Sequence, residues 1–384
     1  MALRTLSGKH TDPRHERAGA PLKGRGAAIN PEGRFEKVGR EAYDDGWTQQ
    51  NAEDAPALKT QITEEHAASI ISRNQSPDIP FTQSINPYQG CEHGCIYCYA
   101  RPTHAYRNLS PGVDFETRIF AKVNAAELLR KELSKPGYQC EVISLGANTD
   151  PYQPAERKLG ITRGILEVCA EFNQPVGIVT KNALVERDLD ILVPMAQKNL
   201  VNVFMSVNNL DHEIARRLEP RCVAPQRRIE AIRTLSQAGV PVGVLVAPVI
   251  PFLTDDQIET VLEAAFAAGA TQAGYVVLRL PYEVKTLFRD WLERHYPLKA
   301  KHVMSRVHEL RGGRDNDPNF GSRMRGQGEF AALLAQRFKM AKRRIGYIGY
   351  DGRDRMLRNA LLDTSQFRVP PALPGAAAKQ MSLF

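Results

Sequence analysis

Three thiols stand within eight residues of one another, in the run Cys91-Glu92-His93-Gly94-Cys95-Ile96-Tyr97-Cys98. Thiolates are soft donors, and this spacing in one short loop lets three of them reach a common zinc ion or iron–sulfur cluster. Both centres normally take four protein ligands. Three cysteines therefore either borrow a fourth ligand from elsewhere, with His93 and His104 nearest in sequence, or leave one metal position open. The first case describes a zinc-stabilised nucleic-acid-binding protein without catalysis. The second describes a cluster with room for a cofactor.

The elements around the loop decide how it is held. A β-rich run at 81–86 leads directly into it. Downstream, strand-like runs at 141–145, 176–180, 201–207, 240–250 and 274–280 alternate with helical patterns at 161–172, 184–197, 225–238 and 255–268. Thr254 is placed to cap the last of these. Six strands with helical crossovers predict a parallel sheet curled into a partial (β/α)6 barrel of the TIM type. Chemistry in such barrels sits at the carboxyl ends of the strands. That rule gathers the cysteine loop, Asn148-Thr149-Asp150, Thr180-Lys181, Ser206-Val207-Asn208 and Ala247-Pro248 on one rim.

Apolar spacing further predicts a short helix within 62–73, one helix over 117–133, and helices at 283–294 and 330–340 beyond the last strand. The segment 311–318, poor in apolar residues, reads as an exposed loop. The chain divides accordingly into an irregular or disordered arm (1–58), the barrel (59–280), a basic helical extension (281–369) and a tail (370–384).

Of the 384 residues, 42% are hydrophobic and 24% charged, ordinary values for a globular chain, and no apolar run of membrane-spanning length occurs. The start, Met1-Ala2-Leu3-Arg4, carries no apolar signal core, so a cytoplasmic protein is expected, where six cysteines argue for metal or catalysis rather than disulfides. The net charge of +8 is concentrated: residues 285–359 hold 18 Lys+Arg against 8 Asp+Glu. Such an excess fits either a solvated helical face or a polyanionic partner such as nucleic acid.

The Cys-x-x-x-Cys-x-x-Cys spacing, with Tyr97 before the last cysteine, resembles the signature of radical S-adenosylmethionine (radical SAM) enzymes. The resemblance extends over about 77–280. Asn148-Thr149-Asp150-Pro151-Tyr152-Gln153-Pro154, Glu219-Pro220-Arg221 and the run 242–251 look most like the branch related to spore photoproduct lyase, and closest to its uncharacterised bacterial members.

The resemblance implies that Cys91, Cys95 and Cys98 hold a [4Fe-4S] cluster whose fourth iron binds S-adenosylmethionine, to be cleaved reductively to a 5′-deoxyadenosyl radical. It implies further that Tyr97 contacts the adenine, Lys181 the methionine carboxylate, and Ser206 and Asn208 the ribose hydroxyls. Asn148, Thr149 and Asp150 occupy the slot where many members carry Gly-Gly-Glu to hold the amino group. This chain departs from that triplet, which leaves Asp150 as the acceptor. An electron donor such as flavodoxin or ferredoxin is implied as a partner. The lyase uses a cysteine as hydrogen-atom donor, but Cys140 precedes the second strand and belongs to the opposite end of the barrel. Cys169 and Cys222 read as inert, and Tyr99, Tyr152 and Tyr275 as packing residues or radical relays.

Overall fold

The computed structural model describes residues 24–35, 58–347 and 362–371. Ten strands are present among them: β1 (Gln61–Glu65), β2 (Ile71–Arg73), β3 (Gln83–Ile85), β4 (Tyr88–Gln89), β5 (Arg118–Lys122), β6 (Ile143–Leu145), β7 (Val176–Thr180), β8 (Val201–Ser206), β9 (Val242–Val249) and β10 (Gln272–Val277). The main sheet has the order β10-β9-β8-β7-β6-β3-β2. All of its neighbours are parallel except β2, which runs antiparallel to β3 at the edge. The six anticipated strands are thus the six parallel ones, in sequential order, in an α/β sheet that does not close into a full barrel. Every residue of β8 is buried, as expected of a central parallel strand covered on both faces.

Helix Ile161–Phe172 shows how the crossovers form. It starts after Gly160 and ends at Asn173, both in the left-handed region, and buries Ile165, Leu166, Cys169 and Phe172 on one face.

Three local expectations fail. The segment 62–73 forms strands β1 and β2 rather than a helix, because β1 is recruited by β5, with Gln61 opposite Arg118 and Glu65 opposite Lys122. The segment 117–133 divides into strand β5 and helix Ala125–Leu133. In β5, Ile119 and Ala121 point inward and Arg118 outward, a period of two that the apolar residues alone do not distinguish from a helical face. Thr254 does not cap with its side chain; its hydroxyl instead accepts from the Ile250 N–H at 2.9 Å.

Beyond β10 the chain forms helices Val284–His295, Pro297–Leu310 and Gly328–Ile345, the middle one not anticipated. The 311–318 loop is not uniformly exposed. Arg311 is buried because its guanidinium donates to the carbonyls of Val277, Leu278, Ser322 and Arg323. Asp317 is buried while accepting from Asn319 and Ser322. No helix among the described residues is long and apolar enough to cross a membrane.

Two cores result. The larger lies between the sheet and its helices. The second joins Ile96 and Tyr97 of the cysteine loop to Leu287, Phe288, Trp291 and Val307 of the C-terminal helices and to Ala27 and Ile29. The last two belong to residues 24–35, which are irregular but packed; the remainder of the 1–58 arm and the tail beyond 371 lie outside the described residues.

Candidate functional site

The cysteine loop is held through its backbone. Cys91 N–H donates to Phe115 O at 3.0 Å, and Ile96 N–H to Leu218 O at 3.1 Å. Arg101, wholly buried, reaches the carbonyls of Cys95, Gly94, Pro111 and Gly112 and forms an ion pair with the equally buried Glu116. Glu116 in turn accepts the N–H groups of Gly26 and Ala27 at 3.0 and 2.8 Å. A side chain at residue 26 would begin 1.8 Å from Gly94 O, so only glycine lets this crossing lie flat on the loop.

All three thiols are free. They line a cavity of about 530 Å³ at the carboxyl ends of the strands, together with Tyr97, Asn148, Thr149, Asp150, Lys181 and Ser206. Burial pushes the Cys98 thiol up to about 12, with the neighbouring Cys95 and Cys91 charges adding to the rise. Cys95 is shifted the other way, because Cys222, with its sulfur 3.8 Å away, donates a hydrogen bond to it. The thiols are thus crowded enough to repel one another as thiolates, a situation that a cationic centre relieves.

Asp150 is the hub of the facing rim. Its carboxylate accepts from the Thr180 hydroxyl (2.7 Å), Lys181 N–H (2.7 Å) and Tyr152 N–H (2.9 Å), and lies 3.4 Å from His93 Nδ1. Burial alone would raise its pKa, but His93 and these donors outweigh it and hold the acid near 2. His93 is correspondingly raised despite its burial, by Asp150 and Cys91. Lys181 follows the same logic. Burial disfavours its charge, yet Cys95, Glu219, Cys222 and Asp150 raise its pKa. Tyr97 donates to Glu219, which is also paired with the buried Arg228, itself donating to Ser206 O at 3.1 Å.

The remaining predicted residues divide. Thr149 spends its hydroxyl on Tyr88 O at 2.7 Å, and the Asn148 backbone N–H donates to Asn86. Asn208 is buried against Asn209 and does not line the cavity. Neither do Cys140, whose thiol faces Gln174, Cys169 or Tyr152, which bonds Asp188 at 3.1 Å. Tyr99 and Tyr275 do.

The family model described as the radical SAM superfamily matches residues 85–265. An uncharacterised protein of Mycobacterium tuberculosis is 38% identical over 266 residues, covering 68% of this chain and 76% of its own. The chain belongs to the radical SAM superfamily. A second relative, an uncharacterised protein of Methanocaldococcus jannaschii, is 26% identical over 242 residues, covering 62% of this chain and 85% of its own. Among solved structures, a spore photoproduct lyase variant aligns with a TM-score of 0.55 at 16% identity, over 74% of this chain and 79% of that one. Another, with bound AdoMet and dinucleoside spore photoproduct, aligns at 0.53 and 15% identity with the same coverage. These likenesses show a shared fold.

Radical SAM enzymes in general use a [4Fe-4S] cluster and S-adenosylmethionine, and the donor set fits that pair. Three thiols face one cavity, while no group of three His, Cys, Asp or Glu side chains among the described residues converges on a single ion. A cubane takes its three cysteines on three different irons, so convergence on a point is not required. The zinc alternative needs a free imidazole. His93 has Nδ1 against Asp150 and Nε2 at 3.4 Å from Asn182, and His104, which commits Nε2 to Arg118 O at 2.9 Å and leaves Nδ1 without a partner among the described residues, does not line the cavity that the thiols share.

Sequence reasoning missed four features of this radical SAM site: Arg101, Glu116, Cys222 and the arginines Arg279, Arg323 and Arg325 that line the same cavity. Arg323 and Arg325 fall in the basic excess beyond residue 285, whereas Arg279 had no such signal.

Proposed function

We propose that this chain binds a [4Fe-4S] cluster through Cys91, Cys95 and Cys98, cleaves S-adenosylmethionine reductively, and directs the radical at a hydrogen atom of a polyanionic substrate such as nucleic acid. The observation that carries the reading is the meeting of three free thiols and the Lys181 ammonium on one cavity at the carboxyl rim of the parallel sheet. When bound, the cluster and cofactor supply one-electron cleavage of the sulfonium and a 5′-deoxyadenosyl radical; the protein supplies position and dryness.

Lys181 is suited to the methionine carboxylate as a point charge with no side-chain hydrogen bond among the described residues. Asp150 fixes the rim by holding the Lys181 backbone and the His93 ring, and Asn148–Asp150, which line the cavity, would receive the amino group. Tyr97, locked by Glu219 and lining the cavity, would lie against the adenine. Ser206 takes the ribose role on its own, since Asn208 lies behind the wall. Electrons come from a flavodoxin- or ferredoxin-like donor, in the reducing cytoplasm where free thiols persist.

The test is anaerobic reconstitution of the full chain with iron and sulfide, reduction with dithionite and addition of S-adenosylmethionine. A [4Fe-4S] absorbance and paramagnetic signal with formation of 5′-deoxyadenosine is the expected result. About one zinc per chain with no acid-labile sulfide after anaerobic purification would overturn it.

A further inference from the structure

Most C-terminal arginines have carboxylate partners: Arg289 with Asp315, Arg294 with Asp290, Arg337 with Glu259. Among the described residues, two arginines on the cavity wall do not. Arg279 reaches Met324 Sδ at 3.6 Å and the face of Tyr99 at 5.7 Å, makes no ion pair among the described residues, and its Nε has no partner there. Arg325 lies 4.3 Å over the Tyr275 ring and makes no ion pair among the described residues. Leaving a half-buried guanidinium without an anion is costly, and the fold nevertheless places two of them on one cavity.

The placement is enforced. Arg311 clamps the carbonyls of Ser322 and Arg323 to those of Val277 and Leu278, so the short helix Ser322–Arg325 is fastened to the carboxyl end of β10. Arg323 pins the same segment to the opposite side, with Nε 2.7 Å and Nη2 2.5 Å from the Asp78 carboxylate. Arg325 is thereby held over the cavity. Nearby, the Tyr275 hydroxyl is buried without a partner among the described residues, and Tyr99 stands 48% exposed with its hydroxyl on Ala147 O.

We infer that Arg279 and Arg325 form an oxyanion subsite that takes a phosphate of a nucleotide unit, with a base of that strand lying against Tyr99. Forked guanidiniums match phosphate oxygens, and an exposed ring at the same wall suits a flat base. The inference rests on the radical SAM reading of this cavity and supplies its substrate class.

The test uses the reconstituted full-length protein and a fluorescein-labelled single-stranded DNA dodecamer, followed by anisotropy between 50 and 200 mM salt. Arg279→Gln and Arg325→Gln are each expected to weaken binding about tenfold and to lower the salt slope by about one, with Arg325→Lys retaining part of the affinity. Arg343→Gln removes an exposed charge off the cavity and serves as control, with less than about a twofold effect. Thymidine monophosphate displaces the probe and thymidine does not, if the phosphate is the anchor. No binding at 50 mM salt, or equal losses in the control, overturns the inference. So does a higher KM for S-adenosylmethionine in Arg279→Gln or Arg325→Gln with DNA binding intact, which would give these cations to the cofactor. Iron content and melting temperature identify a misfolded variant, in which case the conservative lysine variants decide. Failure of the wild type to hold a cluster or form 5′-deoxyadenosine would sink the radical reading instead, whatever the anisotropy shows.

Discussion

Arg101 and Glu116 form an ion pair with no solvent exposure on either side chain, directly beneath the cysteine loop. Each also carries a share of the backbone: Arg101 holds Gly94 and Cys95 O, and Glu116 holds Gly26 and Ala27 N–H. Removing one partner strands the other charge, which costs about 3–5 kcal/mol in comparable buried pairs. Glu116→Ala is therefore expected to lower the melting temperature markedly and to reduce iron loading, since the loop loses its floor. Unchanged unfolding and full iron and sulfide content would show that the loop is held by other contacts.

His104 is buried between Phe115 and Phe120, and Arg118 O fixes its Nε2–H tautomer, leaving Nδ1 without a partner among the described residues. Burial lowers its pKa from 6.5 to about 4. The unfolded chain then binds the proton more tightly than the fold, so stability rises with pH across this window. The contribution, up to about 3 kcal/mol, is complete above 6.5 and is lost as pH falls toward and through 4. His104→Gln should be less stable than wild type at pH 7.5, with the gap shrinking at pH 5.5. Parallel melting curves at the two pH values would remove His104 as the cause.

What was legible in the sequence had a local cause. The six parallel strands show as short apolar runs between helical periods, and three cysteines in one loop need no partner to be noticed. The rim positions of Asp150, Lys181 and Ser206 follow because each ends such a strand. Arg279 and Arg325 lack any local sign, as they meet only through the clamp made by Arg311 over a segment that looks like an exposed loop. The Gly26–Ala27 crossing uses backbone N–H groups, which no composition argument can single out. Ile119 and Phe120 fit a helical face as well as a strand, and only the pairing of β5 with β1 decides between them.

Lys181 faces the cavity with a charge favoured by Cys95, Glu219 and Asp150, and no hydrogen bond of its ammonium among the described residues competes with a ligand. A charged hydrogen bond of this kind is worth about 1.5–3 kcal/mol, or roughly 10–100-fold in affinity. Lys181→Gln is expected to raise the KM for S-adenosylmethionine by that factor while iron and sulfide per chain stay at the wild-type level. A KM unchanged within twofold would take Lys181 out of the cofactor site.

Cys222 is the fourth thiol near the loop, and its sulfur lies 3.8 Å from that of Cys95. Burial raises its pKa, and the bond to Cys95 raises it further, so Cys222 keeps its proton and donates to the Cys95 sulfur. Under the proposed cluster assignment, Cys222 would then donate to a cluster ligand rather than serve as one. Hydrogen bonds to cluster sulfurs stabilise the more negative, reduced state and raise the potential. One worth about 1 kcal/mol corresponds to about 40 mV for one electron. Cys222→Ala should keep four irons per chain and shift the cluster potential negative by about that amount, and Cys222→Ser should restore most of it. Loss of iron in Cys222→Ala would instead make Cys222 a fourth protein ligand, closing the position that S-adenosylmethionine needs.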